Sequence, residues 1–289
     1  MSIVITGATG HLGRLVLEAL LNRNVPAEEI VAVGRSTEKL AEFAARGVQV
    51  KAMDYDDAAS VSEALKGAQK VLLISGSEVG KRVGQHRAVI EAAKAEGVEL
   101  LAYTSIANAG TTGMKLAAEH HATEELLKES GVPFALLRNS WYLENYTAQI
   151  PTYLEYGVSG SAGEGRVSAA TRADYAEAAA AVLVSEGQAG KVYELGGEAF
   201  SLSGLAAEVG AAAGKEVSYH DLPAEDFAKL LEGAGVPGPF AEILADSDLG
   251  IARGDLLVSG SDLATLLGRP ATSMQQAVRE SVDALEPTR

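Results

Sequence analysis

The chain contains no cysteine. Disulfides, thiolate nucleophiles and Cys-based zinc or iron–sulfur sites are therefore excluded. Histidine is scarce at five residues and no H-E-x-x-H pattern occurs, so no metal site is expected. Positive charge is in short supply: 24 Lys and Arg stand against 39 Asp and Glu, for a formal net charge of −15. A field of that sign repels phosphate backbones and anionic lipid, which argues against nucleic-acid and membrane partners. A bound phosphate must then be held by a few local cations and by backbone donors. No segment approaches the roughly 20 apolar residues of a membrane span. The opening MSIVITGATG has no basic start followed by a long apolar stretch. The expected location is the cytoplasm.

Hydrophobic residues make up 47% of the 289, enough for one large α/β unit or for such a unit with a smaller lobe. Short runs rich in β-branched residues alternate with longer helical patterns. Strands are expected over 2–6, 30–34, 48–53, 71–75, 100–105 and 134–138. Helices are expected over 12–22 and near 37–46, 58–66, 80–96 and 113–130. Strands apolar along most of their length argue for a parallel sheet covered on both faces. The fold class is α/β, a doubly wound, Rossmann-like parallel sheet with a smaller, mostly helical C-terminal substrate lobe. Residues 1–149 are read as the dinucleotide-binding domain. The stretch 157–165 is glycine-rich and reads as loops around a short hairpin. A helix at 172–185 and a strand at 191–195 follow, with 166–197 expected to return to the main sheet. Residues 150–165 and 198–289, with one strand at 216–220, are expected to build the capping lobe.

Gly7-Ala8-Thr9-Gly10-His11-Leu12-Gly13 has the spacing G-x-x-G-x-x-G directly after the first strand and at the opening of the first helix. Gly7 permits a sharp reversal, Gly10 lets the backbone approach a pyrophosphate, and Gly13 lets helix and strand pack closely. The helix start offers N–H groups and partial positive charge to the phosphates. Thr9, His11 and Leu12 join the three glycines as cofactor-binding candidates. A bare glycine triplet is shared by many ordinary βα turns; the order strand, loop, helix is what makes it informative.

NAD-binding folds place an acid at the end of the second strand, about 20 residues past the loop, to accept from the ribose 2′-OH. Here that place holds Arg35, 22 residues past Gly13. A carboxylate repels a 2′-phosphate, whereas a guanidinium pairs with it bidentately. The cofactor is therefore read as NADP(H). Asp54 and Tyr55 are placed at the adenine border, and Ser75, Gly76 and Ser77 along the cofactor's middle.

Together with Gly7–Gly13 and Arg35, the run Leu136-Leu137-Arg138-Asn139-Ser140-Trp141-Tyr142-Leu143-Glu144-Asn145 resembles the NmrA-like atypical short-chain dehydrogenases, most of all their bacterial quinone and triphenylmethane-dye reductases. The segments Ser77-Glu78-Val79-Gly80, Ala170–Tyr175 and Leu244–Asp248 extend the likeness over nearly the whole chain. The resemblance implies an NADPH-dependent two-electron reductase that works without flavin and is often a homodimer. It also implies that Asn139, Ser140, Trp141, Tyr142, Leu143, Glu144 and Arg172 lie along the cofactor. One departure stands out. Where most short-chain dehydrogenases carry Tyr-x-x-x-Lys, this chain has Leu116 at the tyrosine place and His120 at the lysine place, so alcohol–ketone chemistry of the usual kind is in doubt.

A quinone is a strong hydride acceptor, so positioning against the nicotinamide supplies most of the help. Donors aimed at the quinone oxygen that gains charge would add to it. His120 and Tyr142 are the catalytic candidates, with Ser105 a further donor; His121 is expected to point elsewhere. Tyr142, Tyr146 and Phe240 are the candidates for contact with a flat substrate. The plainer reading of the aromatics is a cluster joining the two lobes. The leading function is NADPH-dependent reduction of quinones or similar conjugated acceptors. The alternatives are an NADP(H)-binding redox sensor without turnover and a dye or phenylpropanoid-type reductase.

Overall fold

The computed structural model describes residues 1–285. Strands and helices alternate from the start: β1 (Ile3–Ile5), α1 (His11–Asn22), β2 (Ile30–Gly34), α2 (Ala41–Ala45), β3 (Gln49–Ala52), α3 (Ala58–Leu65), β4 (Lys70–Leu73), α4 (Arg82–Glu96), β5 (Leu100–Ile106), α5 (Ala117–Ser130) and β6 (Phe134–Asn139). Then come α6 (Glu144–Thr147), α7 (Ile150–Tyr156), β7 (Val158–Gly160), β8 (Arg166–Val167), α8 (Arg172–Val184) and β9 (Val192–Leu195). The remainder is β10 (Phe200–Ser201), α9 (Leu202–Ala213), β11 (Tyr219–Asp221), α10 (Ala224–Gly233), α11 (Gly238–Arg253), α12 (Asp262–Leu267) and α13 (Met274–Asp283).

Seven strands form one sheet in the order β3-β2-β1-β4-β5-β6-β9, and every pairing in it is parallel. The side-chain period of two divides each central strand between two cores. Ile3 and Ile5 of β1, with Ile30 and Ala32 of β2, enter a core closed by α1, α2 and α8. Val4, Val31 and Val33 enter the opposite core, closed by α3, α4 and α5. Burial on both faces is why these strands read as unbroken apolar runs. The order changes direction between β1 and β4, and the C-terminal ends of these two strands form the crevice in which open α/β sheets take ligands.

A third core holds the smaller lobe together. It gathers Tyr146 and Ile150, Val158 and Val167, Leu205 and Val209 of α9, Ile251 of α11 and Val278 of α13. Two local expectations change here. The glycine-rich stretch makes no hairpin: β7 pairs in parallel with β11, a strand that begins at Tyr219. Nor does all of 166–197 return to the main sheet. β8 pairs antiparallel with β10 in a separate ribbon, while α8 packs on α1 and β9 joins the sheet's edge. The physical reason is contact: a Cβ on Gly165 would stand 2.5 Å from the Ile251 carbonyl, so the chain before β8 lies tight on α11 and stays in the lobe. The last four residues of the expected lobe segment 198–289 lie outside the described residues.

The segment before α5 fastens lobe to sheet. The Lys115 N–H donates to Asp246 Oδ2 at 2.7 Å, and Asn108 Nδ2 donates to the carbonyls of Asp255 and Leu257. The Met114 side chain fills the notch left by Gly250, where a Cβ would stand 2.5 Å from Met114 Cγ.

Candidate cofactor and substrate site

The turn from β1 to α1 is shaped by its glycines. Gly7 takes φ +60, and a Cβ on Gly13 would meet the Gly7 carbonyl at 2.4 Å. Gly10 caps α1 with extended backbone, no side chain bonds to the helix's open N–H groups, and no acid stands in its first turn. Helical bonding begins with Arg14 N–H to Gly10 at 3.1 Å. A 12-residue helix thus presents its donor end to the crevice with no capping side chain and no acid in its first turn. Gly34, at the end of β2, leaves the space taken by Thr9, whose Cγ2 would lie 2.8 Å from an added Cβ. Such a cradle fits a diphosphate.

Arg35 follows β2 directly, and its side chain is 67% exposed. Glu78 Oε1 lies 3.6 Å from Arg35 Nη1, and Glu78 also pairs with Lys81 at 3.0 Å, which in turn reaches Asp56. A hollow of about 440 Å³ opens beside this cluster, lined by Tyr55, Asp56, Lys81 and Gln85 among others. Tyr55 donates to the Ile74 carbonyl at 3.2 Å, which ties the loop after β3 to the end of β4. Two cations and a hollow suit the adenosine end of a phosphorylated dinucleotide.

The loop after β4 is held by hydrogen bonds from beneath. The Ser75 N–H donates to Thr104 Oγ1 at 2.9 Å. The Gly76 N–H donates to His86 Nε2 at 3.0 Å, and His86 Nδ1 donates to Thr123 Oγ1 at 2.9 Å, whose own hydroxyl donates to the Glu119 carbonyl. His86 is fully buried, and burial together with nearby Arg82 pushes it down to about 3, so it stays neutral. Ser77 is exposed at the crevice.

His120 is buried against Tyr103, with Tyr103 Oη 2.8 Å from His120 Nδ1. Burial, with Arg82 and His86 nearby, lowers His120 to about 3, so the imidazole is a neutral donor at working pH. His121 is exposed, as a helix requires of its neighbour. Ser105 leaves the roll of substrate donors. Its hydroxyl donates to Glu124 Oε1 at 2.6 Å inside an ion network, in which Arg138 forks onto both oxygens of Glu124 and reaches Glu194 at 2.8 Å.

The stretch from Asn139 to Glu144 crosses from β6 into the lobe. Ser140 is engaged by the protein itself: its N–H donates to Leu195 and its hydroxyl to Leu256. The Trp141 carbonyl accepts from Ala170 and from the Tyr175 hydroxyl. Leu143 is packed in the lobe's core, and Asn139 is buried at the strand end. Tyr142 is clasped: the Arg172 guanidinium lies 4.5 Å over its ring and the Tyr175 ring meets it edge-on at 5.5 Å. Arg172 Nη2 donates to Asn145 Oδ1 at 2.9 Å and its backbone N–H to Glu144 Oε1 at 2.8 Å. Glu144 Oε2 is buried with no hydrogen-bond partner among the described residues. Burial, eased by Asn139 and Arg172, raises the Tyr142 hydroxyl above its ordinary value, so it too is protonated at neutral pH.

Of the expected substrate contacts, Tyr146 is turned away from this place. Tyr146 is 8% exposed, sunk in the lobe's core with its ring edge-on to Phe200 at 5.7 Å, because α6 turns that face inward. Phe240 sits in the first turn of α11 at 47% exposure and meets no other ring among the described residues. Tyr103, His86 and Asn145 are the residues that the sequence reading missed or left without a role. A lone tyrosine in an apolar strand and a lone histidine on a core-facing helix carry no signal of their own.

Fold and site together define a dinucleotide-binding α/β protein with a donor-lined crevice beneath a separate lobe. A profile of the NmrA-like family matches residues 1–249. The chain belongs to that family. It is 49% identical to quinone oxidoreductase 2 of Escherichia coli (strain K12) over 96% of this chain and 97% of the relative. The crystal structure of the NADPH-dependent quinone oxidoreductase from that organism, complexed with NADPH, superposes with a TM-score of 0.94 at 48% identity, covering 96% and 99% of the two chains. Triphenylmethane reductase of Citrobacter sp., complexed with NADP(H), gives a TM-score of 0.92 at 35% identity over 97% and 100%.

Proposed function

We propose that this protein catalyses NADPH-dependent two-electron reduction of quinones or similar conjugated acceptors, by direct hydride transfer without flavin. The observation that carries the cofactor assignment is the uncapped, acid-free start of α1 with Arg35 at the end of the neighbouring strand. The likeness to quinone oxidoreductase 2 over nearly the full length of both chains supports the acceptor class.

The α1 N–H groups and the glycine turn would hold the diphosphate, and Arg35, with Lys81 nearby, the 2′-phosphate. NADPH, when bound, supplies the hydride that the acceptor ring takes up. A quinone oxygen then gains negative charge and ends as a hydroxyl after taking a proton from solvent. The protein's part is to orient and to stabilise. His120 offers a neutral N–H at the lysine place of the fold, and Tyr142, held between Arg172 and Tyr175, offers a protonated hydroxyl. Neutral donors suit this reaction, because a strong acid is not needed once the hydride has arrived. Leu116 leaves the place of the usual tyrosine acid apolar, which fits an acceptor that needs no such acid.

The test is turnover: purified protein, NADPH and a simple benzoquinone, with no added flavin. NADPH oxidation dependent on both protein and quinone is expected. Binding of NADPH without turnover on any quinone, dye or enone would overturn the reading and leave a dinucleotide sensor in its place.

A further inference from the structure

We propose that Tyr103 is a positioning residue that locks His120 as an Nε2–H donor toward the substrate oxygen. The proposal rests on the reductase reading above and concerns how its donor is prepared.

Tyr103 lies in β5, is fully buried, and its hydroxyl has His120 Nδ1 as its hydrogen-bond partner at 2.8 Å. Two proton arrangements satisfy that distance. If the imidazole donated from Nδ1, the buried phenol proton would be left to the Thr123 and Ser75 hydroxyls, which lie near it but make no hydrogen bond to it in this structure, and Thr123 already accepts from His86. If the phenol donates, Nδ1 accepts and both groups are satisfied. The ring proton then sits on Nε2. That nitrogen has no hydrogen-bond partner among the described residues, and it is not one of the polar atoms sealed from solvent. It is a donor left open.

Its neighbour is set the other way. His86 Nε2 accepts from Gly76, so its proton is on Nδ1 and goes to Thr123. The His86 ring stands edge-on to the Tyr103 ring at 5.4 Å, which helps to hold the phenol's plane. Two buried histidines thus carry opposite tautomers. One braces the loop after β4, and the other keeps a free N–H. Without the phenol, neither ring nitrogen of His120 has a hydrogen-bond partner among the described residues, and the form with its proton on Nδ1 aims an acceptor, not a donor, at a developing oxyanion.

Ring tautomers are read in the intact protein by long-range proton–nitrogen spectra with labelled histidine. Five histidines keep the spectrum simple, and His86→Gln and His120→Gln variants assign it. At neutral pH the wild type should show His120 as Nε2–H and His86 as Nδ1–H. In Tyr103→Phe the pure Nε2–H signature of His120 should be lost. The kcat for benzoquinone should fall roughly tenfold, less than the ~10²–10⁴-fold for loss of a positioned acid–base group itself, because the His120 ring stays and only its tautomer is mixed, with the KM for NADPH unchanged. A wild-type His120 carrying its proton on Nδ1 overturns the proposal, and that measurement stands even if Tyr103→Phe does not fold. A variant that loses the signature but keeps its kcat also overturns the positioning role while leaving quinone reduction intact. An Nε2–H wild type that reduces no quinone instead removes the reductase reading on which the role depends.

Discussion

Arg35 meets Glu78 across 3.6 Å, and both side chains are well exposed. An exposed pair of this kind contributes little, with a median of about 0–1 kcal/mol. A phosphate dianion offers more charge and a bidentate edge, so it should displace the carboxylate. Arg35→Ala is expected to weaken NADPH binding by about 2 kcal/mol, roughly 30-fold, with little effect on NADH. Titration of both cofactors against the variant checks this; equal losses would remove Arg35 from the 2′-phosphate. Glu78→Gln should act in the opposite sense. It frees Arg35 and Lys81 from a competing carboxylate and should tighten NADPH about twofold, an effect that fades as salt rises.

At the scale of elements, the α1 turn tolerates no added atom at Gly13. A Cβ there meets the Gly7 carbonyl at 2.4 Å and Ala8 Cα at 2.7 Å, both of them backbone. Gly13→Ala should lower stability by roughly 1–3 kcal/mol and abolish cofactor binding, because relief requires moving the turn that forms the cradle. Thermal unfolding and a cofactor titration on one sample check the two effects together. This element was legible in the sequence because it is local: three glycines, a strand before and a helix after. The central strands were legible for a related reason, since β2 and β5 are buried along their whole length and contain only residues that tolerate it. The ribbon of β7 with β11 was not, because its partners lie about sixty residues apart and only tertiary contact pairs them. His120 came from the family's helix frame, whereas Tyr103 looked like any core aromatic. Its role depends on which ring nitrogen faces it, a matter of ångströms that no spacing encodes. Tyr146 sinks into the lobe's core because aromatic type says nothing of which face a helix turns inward.

Over the whole molecule, stability should depend on pH through the lobe. The Asp248 carboxyl accepts from the Ser161 N–H at 2.8 Å and faces Asp221 and the hydroxyls of Tyr146, Tyr153 and Tyr219. Burial first, and Asp221 second, push it from 3.8 up to about 6. A carboxyl with a raised folded value holds its proton more tightly in the folded chain. Its contribution is therefore full below about pH 4 and is lost as pH rises through about 6, by roughly 2–3 kcal/mol. Asp248→Asn should remove that loss. Melting temperatures of wild type and variant should match near pH 4 and separate toward pH 7, with the variant higher; parallel curves would refute the assignment.

The lobe is also keyed to the sheet by Met114 in the notch at Gly250. That fit bears on how new substrate ranges arise. A transplanted lobe carrying any bulkier residue at position 250 would press on the Met114 side chain in the loop leading to His120, so the lobe and residues 108–116 should travel as one cassette when such proteins are recombined, in the laboratory or in evolution.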